Sequence, residues 1–142
     1  MMIVSTRGRY ALRVMVDLAE HRQEGYIPMK EVAQRQGLSL KYLERIMPAL
    51  SKNELVEGVQ GKGGGYRLSR APETYTVGEI LRLTEGDLAP VGCLECGAEP
   101  CDRAKECRTR SVWTGFHDMT NAYFDSITVA DLMRTGAEQI EL

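Results

Sequence analysis

Cysteine is absent from this 142-residue chain outside one short window, histidine occurs only at His21 and His117, and no long apolar run is present. Each absence narrows the reading. Without a hydrophobic stretch near the roughly 20 residues that cross a bilayer, no membrane-spanning helix is expected. The opening Met1–Tyr10 also lacks the apolar segment of a secretory signal. A cytosolic protein is therefore expected, in a compartment where thiols stay reduced. With cysteine confined to residues 93–107, a disulfide framework spread through the fold is excluded. No nucleophile, base and orienting residue form a recognisable catalytic unit, so enzymatic activity is not expected.

The chain length suits one domain with an appendage, whose core is completed by dimerisation. The formal net charge of −2 conceals an asymmetry. Residues 1–70 hold 12 Lys/Arg against 7 Asp/Glu, whereas residues 71–142 hold 6 against 13. A basic front half and an acidic back half suit a protein that meets a polyanion on one side.

Apolar periodicity divides the front half. Ser5 or Thr6 caps a first helix with Ala11, Val14, Met15 and Leu18 on its inner stripe and Arg7, Arg9 and Arg13 outside it, before Gly25 ends the segment. A short second helix starts at Pro28. Gly37 supplies a turn, and Ser39 caps a third helix through Leu40, Leu43, Ile46, Met47 and Leu50. Two short helices joined by a glycine-containing turn make a helix-turn-helix. Its second helix is the expected DNA reader: Ser39 and Lys41 suit phosphate, while Tyr42, Glu44 and Arg45 are placed for base edges. Pro48 removes a helical hydrogen bond, so a bend or 3₁₀ character is expected there.

The segment Leu55–Gln60, the tip Gly61–Gly65 and the segment Tyr66–Ser69 read as a hairpin, or wing. Gln60, Lys62 and Gly63 sit at or beside that tip, where glycine lets the backbone approach a narrow groove. Thr76 to Glu79 has the spacing of a capping box and opens a helix that ends near Gly86. A longer helix is expected to start between Arg103 and Arg108, with Val112, Trp113, Phe116, Met119, Tyr123 and Phe124 on a broad apolar side. That stripe calls for a second copy of the helix, hence a homodimer reading a pseudo-palindromic operator in double-stranded DNA. Thr128–Met133 adds a short final helix.

The fold class is thus mainly α with a small β wing. A winged helix-turn-helix DNA-binding domain is expected over 1–86, a cysteine-rich sensor loop over 87–107, a dimerisation helix and short C-terminal helix over 103–135, and a tail over 136–142.

The cysteines follow the pattern Cys93-x2-Cys96-x4-Cys101-x5-Cys107. Four thiolates at this spacing suit tetrahedral zinc and an iron–sulfur cluster alike. Arg103, Lys105, Arg108 and Arg110 are close enough in sequence to offset thiolate charge. Reversible thiol oxidation without metal and four independent buried cysteines are further readings. His117 lies ten residues beyond Cys107, roughly 15 Å along a helix, and is awkward as a shared ligand.

Several motifs together resemble the Rrf2 family of winged-helix transcription regulators, most similar to its iron–sulfur cluster regulator branch. They are Ser5-Thr6-Arg7-Gly8-Arg9-Tyr10-Ala11, Gln36-Gly37-Leu38-Ser39 with Tyr42-Leu43-Glu44, Gly63-Gly64-Gly65-Tyr66, and Ser126-Ile127-Thr128. The resemblance implies repression or dual regulation of iron–sulfur cluster assembly genes, with three cysteines and a histidine holding a [2Fe–2S] cluster. Cys101 and Cys107 match the second and third cysteines, Cys96 or less directly Cys93 the first, and Arg110 stands where the histidine would be. An extra cysteine, another ligand or a different nuclearity would complete the site.

Related branches imply other outcomes. The nitric-oxide-responsive branch resembles this chain in using three cysteines, with a [4Fe–4S] cluster and a carboxylate from the partner's first helix that Gly8 and Arg9 do not supply. The cysteine-metabolism branch often lacks the cluster motif. The resemblance also assigns DNA reading to Glu44 and to a wing arginine whose place Gln60 takes here. A different class of function is an interaction module that recruits a cysteine-metabolism enzyme through the apolar helix, which leaves the basic front half and the wing without a shared purpose.

Overall fold

A computed structural model describes residues 4–95, 97–99 and 101–133; Cys96, Pro100 and the 136–142 tail lie outside them. Helix α1 spans Thr6–Glu20 and is capped by the Ser5 side chain, which accepts from the Gly8 amide. Its apolar stripe, Ala11, Val14, Met15 and Leu18, is fully buried. Helix α2, Met29–Gln36, follows Pro28 and ends at Gly37 in the left-handed conformation. Helix α3, Leu40–Lys52, is capped by Ser39 and buries Leu43, Ile46, Met47 and Leu50 against α1 and α2. Each such aliphatic side chain contributes about 1.5–3 kcal/mol by leaving water.

Pro48 does not produce the expected 3₁₀ character: α3 is α-helical throughout. Glu44 and Pro48 are both exposed, so the Glu44 carbonyl that lacks a helical donor is on the solvent side, where water can satisfy it.

Strands β1, Val56–Val59, and β2, Gly65–Leu68, pair antiparallel from Val56 opposite Leu68 to Val59 opposite Gly65. Ile27 extends this wing, its amide donating to the Tyr66 carbonyl at 2.8 Å and its carbonyl accepting from the Tyr66 amide at 2.9 Å. A Cβ on Gly65 would run into the Ile27 carbonyl, so glycine is what permits the hairpin to lie this close to the start of the helix-turn-helix.

Helix α4, Val77–Glu85, uses half of the expected capping box. Thr76 Oγ1 accepts from the Glu79 amide at 3.0 Å, but the Glu79 carboxylate is taken by Arg70 Nη2, at 2.9 Å to each oxygen. At the other end, Glu85 Oε1 accepts from the Ser5 amide and hydroxyl at 3.2 and 2.5 Å, fastening α4 to the start of α1.

Helix α5 begins at Arg110 and ends at Asp125, later than the sequence pattern suggests. Residues 103–109 form turns, with the Glu106 and Cys107 amides both donating to the Arg103 carbonyl. Helix α6, Val129–Leu132, has a complete capping box between Thr128 and Asp131. It packs on the body of its own chain: Val129 is fully buried in the α1 core, and its amide donates to the Tyr75 carbonyl at 3.0 Å. Among the described residues, no helix is long and apolar enough to cross a membrane.

Candidate nucleic-acid interface and metal centre

The exposed face of α3 carries Lys41, Glu44 and Arg45, none with a side-chain hydrogen bond or ion pair to the described residues. Ser39 is occupied as the cap, its Oγ accepting from the Tyr42 amide at 3.3 Å, and its exposure leaves it within reach of phosphate. Tyr42 is only half-buried and meets the Tyr10 ring edge-on, centroids 5.3 Å apart, so much of its ring braces α3 on α1. That contact lies 32 positions apart in sequence and leaves no local pattern.

The wing supplies a second exposed element. Gln60, Lys62 and Gly63 are exposed at its tip, where Gly61 and Gly63 have φ of 91° and 80° and the Gly64 amide closes a turn onto the Gly61 carbonyl at 3.0 Å. Arg67 is held away from the tip, its Nε on Glu57 Oε2 at 3.0 Å and its guanidinium over Tyr26. Arg7 and Arg9 are exposed on the first turn of α1. Arg13 is exposed but engaged, donating from Nε to Gln36 Oε1 at 3.2 Å, and so is less free for phosphate than its position on α1 suggests.

The sequence pattern missed the buried polar groups behind this face. Asp17 is 1% exposed and bonded to Arg35 and Gln36. Its hydrogen bond and charge push the Arg35 guanidinium above its ordinary pKa. The available signal was a carboxylate set among Val14, Met15 and Leu18 on the buried stripe. Tyr75 is fully buried, donating to the Leu55 carbonyl at 2.7 Å and accepting from the Arg70 amide at 2.9 Å; burial pushes its phenol above the ordinary value.

Cys93, Cys101 and Cys107 are exposed free thiols, which excludes burial for these three. Cys93 sits in the 3₁₀ turn Gly92–Leu94, and Cys107 stands two residues before Thr109, the residue that precedes α5. The Cys107 thiol is held below its ordinary pKa, first by the Thr109 hydroxyl 3.5 Å from its sulfur, then by the Thr109 and Arg110 amides and the Arg103 charge. Among the described residues no three donors are gathered into a metal-holding group. The donor chemistry nevertheless fits a soft metal or cluster: exposed thiols, one biased toward thiolate, in a segment rich in arginine. Arg110, the first residue of α5, cannot take a histidine's place as a ligand.

Helix α5 has no buried residue among those described, and its apolar side is open, with Val112 at 59%, Met119 at 74% and Tyr123 at 63% exposure. Trp113 and Phe116 share that exposed surface. Phe124 instead packs against the small cluster of Val77, Leu81 and Leu88. His117 remains near Asn121 on α5.

The Rrf2 family model, described as an iron-dependent transcriptional regulator, matches residues 4–135. The chain belongs to the Rrf2 family. Among its relatives, the HTH-type transcriptional regulator IscR of Aliivibrio salmonicida (strain LFI1238) is 36% identical over 132 residues, covering 93% of this chain and 77% of that protein. The structure of T. potens IscR matches this Rrf2 chain with a TM-score of 0.72 and 38% identity, over 92% of this chain and 85% of that one. CymR (YrzC), the global cysteine regulator of B. subtilis, matches with a TM-score of 0.76 and 36% identity, over 93% and 96% of the two chains.

Proposed function

We propose that this Rrf2 chain is a DNA-binding transcription regulator of the IscR type, non-enzymatic and cytoplasmic. It acts as a homodimer on a pseudo-palindromic operator of iron–sulfur cluster assembly genes, generally as a repressor. The observation that carries the DNA reading is the exposed α3 face, with Lys41, Glu44 and Arg45 unengaged beside an ordered glycine-tipped wing. Lys41, Ser39, Lys62, Arg7 and Arg9 neutralise or bond phosphates, while Glu44 and Arg45 discriminate bases, with Tyr42 and Gln60 at the edge of that set and Gly63 allowing backbone approach.

The cysteine segment is the sensor. Cys101 and Cys107, with Cys96 and Cys93, would hold a [2Fe–2S] cluster, with [4Fe–4S] and zinc as the other species this donor set accepts. When bound, an iron–sulfur cluster supplies oxygen- and redox-sensitive iron chemistry. Cys107 lies three residues ahead of Arg110, the first residue of α5, so restraining its sulfur also restrains the start of that helix. The far end of α5 is bonded to α4 through Arg82 and Asp125, and α4 is bonded to the start of α1 through Glu85 and Ser5. Sensor occupancy thereby biases the placement of the winged domains, provided the two placements hold the sensor group with different affinity.

The open side of α5 supports the dimer: a second α5 is the economical cover for Trp113, Phe116, Met119 and Tyr123. One observation favours a second reading, thiol sensing in cysteine metabolism: the Cys107 thiol is exposed and held below its ordinary pKa by the Thr109 hydroxyl and amide. A cysteine-metabolism enzyme is the partner only in the reading of a different class, an interaction module that recruits it through the apolar side of α5. Selection of duplexes from a random-sequence library by the purified reduced protein tests the DNA reading. Enrichment of a two-fold symmetric sequence is expected, and recovery of unenriched DNA would contradict it.

A further inference from the structure

The recognition helix is braced from behind by a carboxylate that its DNA-facing side does not include. Burying an ionised carboxylate is costly unless its oxygens are filled. Asp17 Oδ1 accepts from Arg35 Nη2 at 2.7 Å, and Oδ2 accepts from Arg35 Nε at 3.0 Å and Gln36 Nε2 at 3.0 Å. Those donors are the last two residues of α2. Arg13, one turn earlier on α1, donates to the Gln36 side chain and to its main-chain carbonyl. Only Gly37, Leu38 and Ser39 separate this clamp from the first residue of α3. The turn between them is short and fixed, with the Leu38 amide donating to the Ala33 carbonyl at 2.9 Å.

We propose that Asp17 is a positioning residue for operator recognition. By locking the end of α2 to α1, it sets the angle at which α3 presents Lys41, Glu44 and Arg45 to the DNA. Hydrogen bonds to base edges are directional and fail with a modest tilt, whereas attraction to phosphates tolerates it. Loosening the clamp therefore erodes sequence preference and leaves non-specific binding in place. The proposal rests on α3 being the reading helix.

The test uses the full chain with two duplexes: one selected by the wild-type protein from a random library, and a shuffled duplex of equal length and composition. Arg35→Lys is the gentler variant, because the side chain is 31% exposed and keeps its charge while losing the two-pronged geometry. Asp17→Asn removes the carboxylate itself. Both variants, assayed where circular dichroism shows them folded, are expected to lose about tenfold or more of the preference for the selected duplex. Affinity for the shuffled duplex and the slope of log affinity against log salt stay at wild-type values, because no phosphate contact is lost.

Full wild-type preference in both variants would make Asp17 a stabiliser only and overturn the proposal. So would full preference in Arg35→Lys if Asp17→Asn fails to fold. If the wild-type protein itself prefers no duplex, the reading of α3 falls first and this inference with it.

Discussion

Arg82 on α4 reaches Asp125 on α5, Nη2 to Oδ2 at 2.7 Å, and also holds Asn121 Oδ1 through Nε and Nη2 at 3.2 and 2.8 Å. Gly78 makes room for this contact, since a Cβ there would collide with the Asp125 carboxylate. The polar junction links the helix that follows the cysteine segment to the helix that buttresses the winged domain.

Arg82→Met is therefore expected to weaken two things. Stability falls by about 1 kcal/mol, the range of a partly exposed ion pair with an added hydrogen bond, as read from urea unfolding. The difference in operator affinity between the cofactor-loaded and cofactor-free protein shrinks, as read by DNA titration of both forms. An unchanged difference would place the coupling elsewhere.

Tyr75→Phe removes a hydroxyl that satisfies both the Leu55 carbonyl and the Arg70 amide. The Leu55 carbonyl keeps the Ser69 amide at 3.2 Å and Arg70 is exposed, so the cost is that of the two lost hydrogen bonds, about 1–2 kcal/mol. Thermal unfolding should shift down accordingly, while operator preference stays as it was, because Tyr75 lies behind the reading face.

Glu44→Ala and Lys62→Ala separate base reading from phosphate attraction. The first should relax preference at the bases that Glu44 faces. The second should weaken binding about equally on all sequences and reduce the magnitude of the salt slope by about 1. Affinity measured over a salt series on matched and mismatched duplexes checks both, and equal losses on every sequence from both variants would contradict the division.

Phe116→Asp puts a charge in the centre of the open α5 surface, where Phe116 is 44% exposed. If a second α5 covers that surface, self-association falls at least tenfold through the cost of burying an unpaired carboxylate. Sedimentation equilibrium should then report monomer at concentrations where the wild-type protein is dimeric, with helical content retained.

Much of this fold was legible because its signals are local. Ser5, Ser39 and Thr76 announce helix starts through a bond to a backbone amide three residues on, and Gly61 to Gly65 announce the hairpin by composition. The two-sided character of Glu79 was not legible: its spacing from Thr76 fits a capping box, but Arg70 competes for the carboxylate from outside the helix. Asp17 with Arg35, and Tyr10 with Tyr42, are pairings across helices that no short window contains. The start of α5 is not legible in the sequence, because the basic residues from Arg103 onward suit a helix, yet turns closing on the Arg103 carbonyl occupy them. At the cysteines, residue type and clustering indicate thiolate donors, while the placing of Cys101 and Cys107 ahead of Cys96, and of Cys96 ahead of Cys93, is what the family resemblance implies.

Whether the cysteine segment carries an iron–sulfur cluster that governs DNA binding is decided by anaerobic reconstitution with iron and sulfide. Bound iron and sulfide are quantified together with visible absorption and operator affinity, for the wild-type chain and for each single Cys→Ser variant. Stoichiometric iron and sulfide are expected, with a visible absorption band that is lost in Cys101→Ser and Cys107→Ser and an operator affinity that changes on loading. A reduced protein that takes up no sulfide yet binds zinc stoichiometrically would contradict this expectation.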